Sequence, residues 1–332
     1  MLDIKFGAIM NILVTGGAGF IGSNYIRRIF DGNLKGISKV TVIDKLTYAG
    51  QLNNFEKLDL ENEIHFINSD ICNAELMNSI APSFDAIINF AAESHVDRSI
   101  EGAAEFVHTN VSGVQVIMDA IKDSGRNVRF LQVSTDEVYG SIQSGSWTES
   151  HTLAPNSPYS ASKAGGELLA RSYCKTHDLD VVITRCSNNY GTHHFPEKLI
   201  PLFITNLIEG KKVPVYGDGK NVRDWLHVDD HCRGIHEVLT KGKPGEIYNI
   251  GGGTELSNIE LTRLILQIMG ADESFVEYVP DRKGHDLRYS VDWTKINQEL
   301  GYEPQVNFEM GLINTVQWYR DNESWWKPLK GR

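Results

Sequence analysis

Tyr159-Ser-Ala-Ser-Lys163 places a phenol and an ammonium four residues apart. On a helix, positions i and i+4 share a face. A phenol titrates near pH ~10 and is a poor base at neutrality, but a neighbouring cation lowers that value and suits it to take a proton from an alcohol. With 12 tyrosines in the chain, the pair alone has little weight, and its value lies in its setting. Pro158 opens the helix, and Ser134-Thr135-Asp136-Glu137-Val138-Tyr139-Gly140 ends a strand upstream. Thr135 can bond an alcohol, and the two carboxyls suit one general acid and one general base. Strand neighbours point to opposite faces, so Asp136 and Glu137 serve one site only if the chain turns there, as Gly140 permits. Taken alone, such a triplet is more often a capped helix start.

A third signature tips that balance toward chemistry. Strand Asn11–Thr15 runs into Gly16-Gly17-Ala18-Gly19-Phe20-Ile21-Gly22, a GxxGxxG spacing. Glycine allows the tight turn and the close approach of backbone to a pyrophosphate, and the following helix N-terminus offers free N–H groups. Asp44 ends the next strand, placed for a ribose diol. A carboxylate there favours NAD over NADP, whose 2′-phosphate it repels, although Lys45 adjoins it.

The elements that must position these groups alternate. Asn11–Thr15, Lys39–Ile43, Ile64–Asn68, Ala86–Phe90, Arg129–Ser134 and Val181–Thr184 have the pattern of buried strands, and Gly22–Phe30, Glu101–Asp123 and Pro158–Thr176 that of helices. Such alternation predicts an α/β fold, a doubly wound parallel sheet of Rossmann type with a smaller C-terminal substrate-binding lobe. From His193 to Arg223 the rhythm gives way to loop and turn signals. Ile247–Ile250 has the pattern of a strand returning to the sheet, and Leu256–Met269 and Phe308–Asp321 that of helices. The predicted division is 10–187 for the NAD-binding domain with a returning segment near 225–255, and 188–224 with 256–327 for the substrate lobe. Residues 1–9 are expected to be an extension or tag before Met10.

Composition narrows the function class. The 332 residues are 41% hydrophobic and 23% charged, with net charge −11. An acidic chain is a poor general binder of nucleic acid or membrane, and no apolar run is long enough to span a bilayer. Cys72, Cys174, Cys186 and Cys232 form no CxxC pair, which suits reduced thiols and a cytoplasmic home. His227 and His231 lie four apart around Asp229 and Asp230, but no further ligand cluster accompanies them, so no metal is expected. Trp318, Tyr319, Trp325 and Trp326 read as C-terminal packing.

These motifs, with Ala91–Ser99, Ser187–Gly191, His194–Pro201, Arg223–Leu226 and Asp281–Asp286, span nearly the whole chain from Met10. Together they resemble the extended short-chain dehydrogenase/reductase family, and within it the nucleotide-sugar 4,6-dehydratases that take dTDP-glucose. The segment between Gly140 and Tyr159 is short against many such relatives. The resemblance implies NAD held by Gly16, Gly19, Phe20, Ile21, Gly22, Asp44, Lys45, Thr47, Asp70, Ile71, Ala91, Ala92, Ser94, Thr109, Tyr159, Lys163 and Asn189. It implies a nucleotide sugar held by Ser94, Thr135, Asn188, Lys198, Leu199, Pro214, Tyr216, Arg223, Asn258, Arg282 and His285, with Arg223 on the pyrophosphate. It gives Tyr159 the proton of the sugar O4, Glu137 the C5 proton and Asp136 the departing C6 hydroxyl. It further implies a homodimer built on helices 101–123 and 158–176, and a place in deoxysugar synthesis. Related 4-epimerases lack the acid pair, and uronate decarboxylases and GDP-mannose dehydratases usually carry Ser-Glu in its place. A non-catalytic NAD-sensing protein of this fold is expected to lose Tyr159 or Lys163.

Overall fold

The computed structural model describes residues 9–56, 58 and 64–330. The expectation for residues 1–9 therefore lies, but for Ile9, outside the described residues. The first half runs β1 (Met10–Thr15), α1 (Phe20–Phe30), β2 (Ile37–Asp44), β3 (Ile64–Asn68), α2 (Ala74–Ile80), β4 (Ala86–Asn89), α3 (Val96–Glu101), α4 (Ala104–Val107), α5 (Gly113–Ser124), β5 (Arg129–Thr135), α6 (Pro158–His177) and β6 (Val181–Cys186). The second half runs β7 (Asn188–Tyr190), α7 (Leu199–Ile208), β8 (Val213–Tyr216), β9 (Val222–His227), α8 (Val228–Lys241), β10 (Ile247–Ile250), β11 (Glu255–Ser257), α9 (Asn258–Met269), β12 (Val276–Val279), α10 (Thr294–Leu300), α11 (Phe308–Asp321) and α12 (Glu323–Trp326).

The main sheet has the order β10-β6-β5-β4-β1-β2-β3, with every pairing parallel. Its strands are apolar nearly throughout because helices cover both faces. Period-two alternation decides which face each residue serves: Ile12 and Val14 join the core on the α1 and α8 side, Leu13 the core on the α2 and α5 side. The strand order reverses between β1 and β4. The crevice outside the carboxyl ends of such strands is where ligands bind in doubly wound sheets. The Rossmann architecture expected from the sequence is the one observed.

Local departures have local causes. The single helix expected over Glu101–Asp123 is broken at Gly102, which is extended (φ −162), and restarts at Ala104. Residues His108–Ser112 form a π-helical turn. There the Asn110 amide bonds the Glu93 backbone and the Ser162 hydroxyl, and that turn carries Thr109.

The second lobe packs α7, α9, α11 and α12 with two small sheets, β11-β9-β7 and β12-β8, around a core including Phe203, Leu261, Leu312 and Trp326. The stretch His193–Arg223, expected as loop, contains α7 and β8. Pro201 falls in the first turn of α7, where its missing N–H costs nothing. Apolar residues surround α7, so it shows no helical stripe. The helix expected from Leu256 begins at Asn258, because Ser257 and Glu260 form a capping box and Glu255–Ser257 pairs antiparallel with β9. Residues 294–302 pack Ile296, Leu300 and Tyr302 against the core on the α1 and α8 side.

Candidate active site

At the first βα turn, Gly16 has φ +65, and a Cβ there would lie 2.5 Å from the Ala91 nitrogen. A Cβ on Gly22 would lie 2.6 Å from the Gly16 carbonyl oxygen. Glycine at both lets the turn pack tightly against β4 and α1. Helix α1 has no side-chain N-cap, and its first turn lines a cavity of about 290 Å³. That donor set fits a pyrophosphate. The Asp44 carboxylate accepts from Ala18 N (3.0 Å) and Leu46 N (2.8 Å), which fixes it at the end of β2. The same cavity is lined by Gly16, Gly19, Phe20, Ile21, Gly22, Lys45, Thr47, Asp70, Ile71, Ala91, Ala92, Ser94, Thr109 and Asn189. The fit to a dinucleotide rests on this cradle and carboxylate.

The same cavity reaches Thr135, Asp136, Glu137, Tyr159 and Lys163. The chain turns at once after β5: Asp136–Tyr139 is a 3₁₀ turn, capped by the Thr135 hydroxyl accepting from Glu137 N at 3.3 Å. Gly140 then exits at φ +79. This turn brings both carboxyls to one cavity. Ser157 caps α6 through a capping box and presents Tyr159 in its first turn. The expectation that Lys163 lowers the Tyr159 pKa is not met within the chain by itself. Lys163 Nζ donates to the Val133 carbonyl at 2.7 Å. Burial and then Glu137 push the Tyr159 phenol well up. Spacing puts both residues on one face, but burial dominates the phenol.

The two carboxyls differ in their surroundings. Asp136 is buried and driven well above the ordinary range by burial, then by Glu137 and Asp224. Its Oδ2 has no partner among the described residues. Burial also raises Glu137, but Arg282, Arg223 and Lys198 oppose that rise. One group is thus held protonated while cations favour ionisation of its neighbour.

Both elements that carry these groups are anchored from behind. Arg185 on β6 forms a two-pronged pair with Glu167 on α6, both fully buried, and donates to the Tyr139 hydroxyl at 2.5 Å. Tyr139 in turn donates to Asn249 Oδ1 at 2.9 Å. One guanidinium therefore joins the helix of Tyr159 to the turn of the acids.

A second cavity, about 560 Å³, opens between the lobes and meets the first at Glu137, Asn188, Asn189 and Lys198. It gathers Asn188, Lys198, Leu199, Pro214, Tyr216, Arg223, Asn258, Arg282 and His285. Ser94 and Thr135 line only the first cavity. Arg223 is aimed by Val222 O (2.7 Å), Asp286 O (3.0 Å) and the Tyr289 ring (4.3 Å). Lys198 Nζ bonds Ser94 O at 2.9 Å, and burial lowers its pKa. Asn188 Oδ1, Asn258 Oδ1, Trp225 Nε1 and Arg282 Nε are buried without a partner among the described residues, so this wall keeps hydrogen-bonding capacity for a polar ligand.

Sequence reasoning missed Glu197, His194 and Trp225, which line these cavities. For all three the signal was present, since they fall within the recognised His194–Pro201 and Arg223–Leu226 stretches. His227 and His231 serve the fold: His227 caps α8, and His231 Nδ1 bonds Asn189 Oδ1 at 2.9 Å. Asp70, Cys72 and His108 bring ligand atoms within 4.8 Å of one another. Lys45 Nζ lies 3.3 Å from Asp70, and burial pushes the Cys72 thiol up to about 12, a poor setting for a cation.

Residues 13–315 match the family model of GDP-mannose 4,6-dehydratase. A dTDP-glucose 4,6-dehydratase of Streptomyces niveus is 56% identical over 324 residues, 97% of this chain and 96% of that protein. The crystal structure of DesIV, a dTDP-glucose 4,6-dehydratase from Streptomyces venezuelae with NAD and TYD bound, is 57% identical, with TM-score 0.95 over 97% of this chain and 100% of that one. A UDP-glucose 4-epimerase of Thermotoga maritima with UDP-glucose is 31% identical, with TM-score 0.86 over 95% of this chain and 100% of that one.

Proposed function

The chain belongs to the GDP-mannose 4,6-dehydratase family of extended short-chain dehydrogenases/reductases, and from that premise we propose the cycle by which its residues act as an NAD-dependent dTDP-glucose 4,6-dehydratase. The overall change is loss of one water from dTDP-glucose, giving dTDP-4-dehydro-6-deoxyglucose. The observation that carries the proposal is that Tyr159, Lys163, Asp136 and Glu137 line one cavity with the glycine turn, and that a second, cation-lined cavity meets it at Glu137.

NAD⁺, when bound by the glycine turn and Asp44, supplies reversible hydride acceptance. The Tyr159 phenolate takes the O4 proton as C4 is oxidised. Lys163, held by the Val133 carbonyl, would bond the nicotinamide ribose beside Tyr159. The C4 ketone acidifies the C5 proton, which Glu137 removes. Asp136, held protonated, gives its proton to the C6 hydroxyl, which leaves as water. Glu137 returns its proton to C5 as C6 is reduced, and Tyr159 releases the proton it took from O4 as Asp136 regains one, by exchange through solvent, so that the cycle closes. Arg223, Lys198, Arg282 and His285 hold the nucleoside diphosphate, and Thr135 bonds a sugar hydroxyl. An acidic chain thus concentrates cations at one wall, where the anionic substrate binds.

Two further parts of the reading concern context. Ile100, Val107 and Leu168 are 40%, 51% and 50% exposed on α3, α4 and α6. Apolar side chains on neighbouring helices suit a homodimer interface. No helix among the described residues is long and apolar enough to cross a membrane. The four cysteines are free, which suits a reducing cytoplasm.

The test is to incubate the purified protein with dTDP-glucose and no added NAD⁺, following mass. Loss of one water with no net NADH is the expected result. An isomer of unchanged mass overturns the dehydratase reading in favour of an epimerase. No turnover even with added NAD⁺ overturns the substrate assignment.

A further inference from the structure

The segment that leaves β2 alternates between two environments. Lys45, Thr47 and Ala49 line the cofactor cavity, whereas Leu46 and Tyr48 do not. Leu46 packs on the core of the sheet domain, and Tyr48 on the core of the second lobe. The segment is held at both ends by the glycine turn, because the Asp44 carboxylate accepts from Ala18 N and Gln51 N donates to Ala18 O at 3.0 Å. Between these ends Tyr48 is tethered across the lobes. Phe195, in the core of the second lobe, meets the ring edge-on at 5.5 Å (86°), and the guanidinium of Arg98, on α3 of the sheet domain, lies over it at 3.8 Å. Arg98 is itself paired with Glu197 at 3.2 Å. The wall of the cofactor cavity is therefore a strap whose midpoint is fastened to the substrate lobe.

We propose that Tyr48 is a cofactor-retention residue: its docking on the second lobe keeps the strap closed over the dinucleotide. A ligand enclosed between the glycine turn and this strap leaves only when the strap swings out. The contact broken in that motion is the one made by Tyr48, since Asp44 and Gln51 stay with the sheet domain. Retention of NAD is thereby coupled to the lobe that binds the sugar nucleotide. This rests on the NAD-dependent reading above, which requires the cofactor to survive many turnovers without exchange.

The measurement is the rate at which bound NAD⁺ leaves, read by chromatography of the nucleotide remaining on the protein after timed gel filtration. Tyr48→Ala is expected to lose NAD⁺ roughly tenfold faster or more, from loss of the cation–π and edge-on contacts, with kcat at saturating added NAD⁺ within about twofold of the parent. Release at the parental rate overturns the proposal. Tyr48→Phe keeps the ring and is expected to release within about twofold of the parent. Release as fast as in Tyr48→Ala overturns the ring contact as the fastening. If Tyr48→Ala fails to fold, Arg98→Met approaches the same contact from the other side, with release quickening severalfold, and an unchanged rate refutes the tether. A parent protein that carries no NAD⁺ and takes up none on addition refutes the cofactor reading itself, and the strap with it.

Discussion

The Lys163 ammonium donates to the Val133 carbonyl at 2.7 Å, two residues before Thr135. The bond ties the helix that presents Tyr159 to the strand that presents the two acids. It also leaves the lysine with protons to offer a cofactor ribose. Burial lowers the Lys163 pKa to about 8. The cation is thus present below about pH 8 and lost above it. NAD⁺ binding to nucleotide-free protein should weaken as pH rises through that value. In Lys163→Arg the limb should vanish, because guanidinium stays charged. Lys163→Met should lower kcat by a factor on the order of 10² to 10⁴. Binding titrations across pH 6.5–9.5 (about three units) check the first outcome, and steady-state rates the second.

Glu137→Gln separates oxidation from elimination. Tyr159 and Lys163 remain, so C4 should still be oxidised and enzyme-bound NADH should accumulate on adding dTDP-glucose. Exchange of the C5 proton with solvent deuterium should fall by a factor on the order of 10² or more. Normal exchange in this variant removes Glu137 from the role of base.

How much of this could be read beforehand follows from distance along the chain. Gly16 to Gly22, Asp44, Tyr159 and Lys163 declare themselves because each answers a local demand: a turn, a strand end, a helix face. The parallel sheet is equally legible, since strands buried on both faces are continuously apolar. Helix α7 is not, because it is apolar at nearly every position and so shows no stripe. The π-helical turn at His108–Ser112 depends on Asn110 meeting Glu93 and Ser162, which no spacing records. Tyr48 likewise gains its surroundings only when the second lobe closes on the first. The bond from Lys163 to the Val133 carbonyl is equally invisible in the sequence, since spacing fixes a face and not a contact.

The Arg185 network makes a separable prediction. Tyr139→Phe keeps the buried Arg185–Glu167 pair and removes the hydroxyl that links it to the acid turn and to Asn249. Folding should persist with a loss of about 1–3 kcal/mol, the cost of leaving a buried donor unpaired. If the network positions the acids, kcat should drop about tenfold or more while KM changes little. A stability loss with unchanged kcat shows the network to be structural only.

For the dimer, Leu168→Glu places a charge on the exposed apolar face of α6. Light scattering should show a dimer for the parent and a monomer for the variant at micromolar concentration. A monomeric parent refutes the interface outright, whatever the variant does.

Asp224 gives the fold a pH dependence whose sign is fixed by its setting. Its carboxylate accepts from the Ser187 hydroxyl at 2.5 Å, from Gly252 N at 3.1 Å and from Thr254 N at 3.0 Å. Burial outweighs these bonds and raises its pKa from 3.8 to about 6. Between those values the folded chain holds a proton that the unfolded chain has released. The contribution of this group is therefore fully present below about pH 4 and is lost as pH rises to about 6, with a total of roughly 3 kcal/mol. Asp224→Asn cannot titrate, and it turns amide hydrogens toward backbone donors, so it should be less stable at every pH. The gap between parent and variant should narrow as pH rises from about 4 to about 6, and then stay level. Urea midpoints for both proteins across that range test the claim, and a gap that widens with pH shows that the three hydrogen bonds outweigh burial.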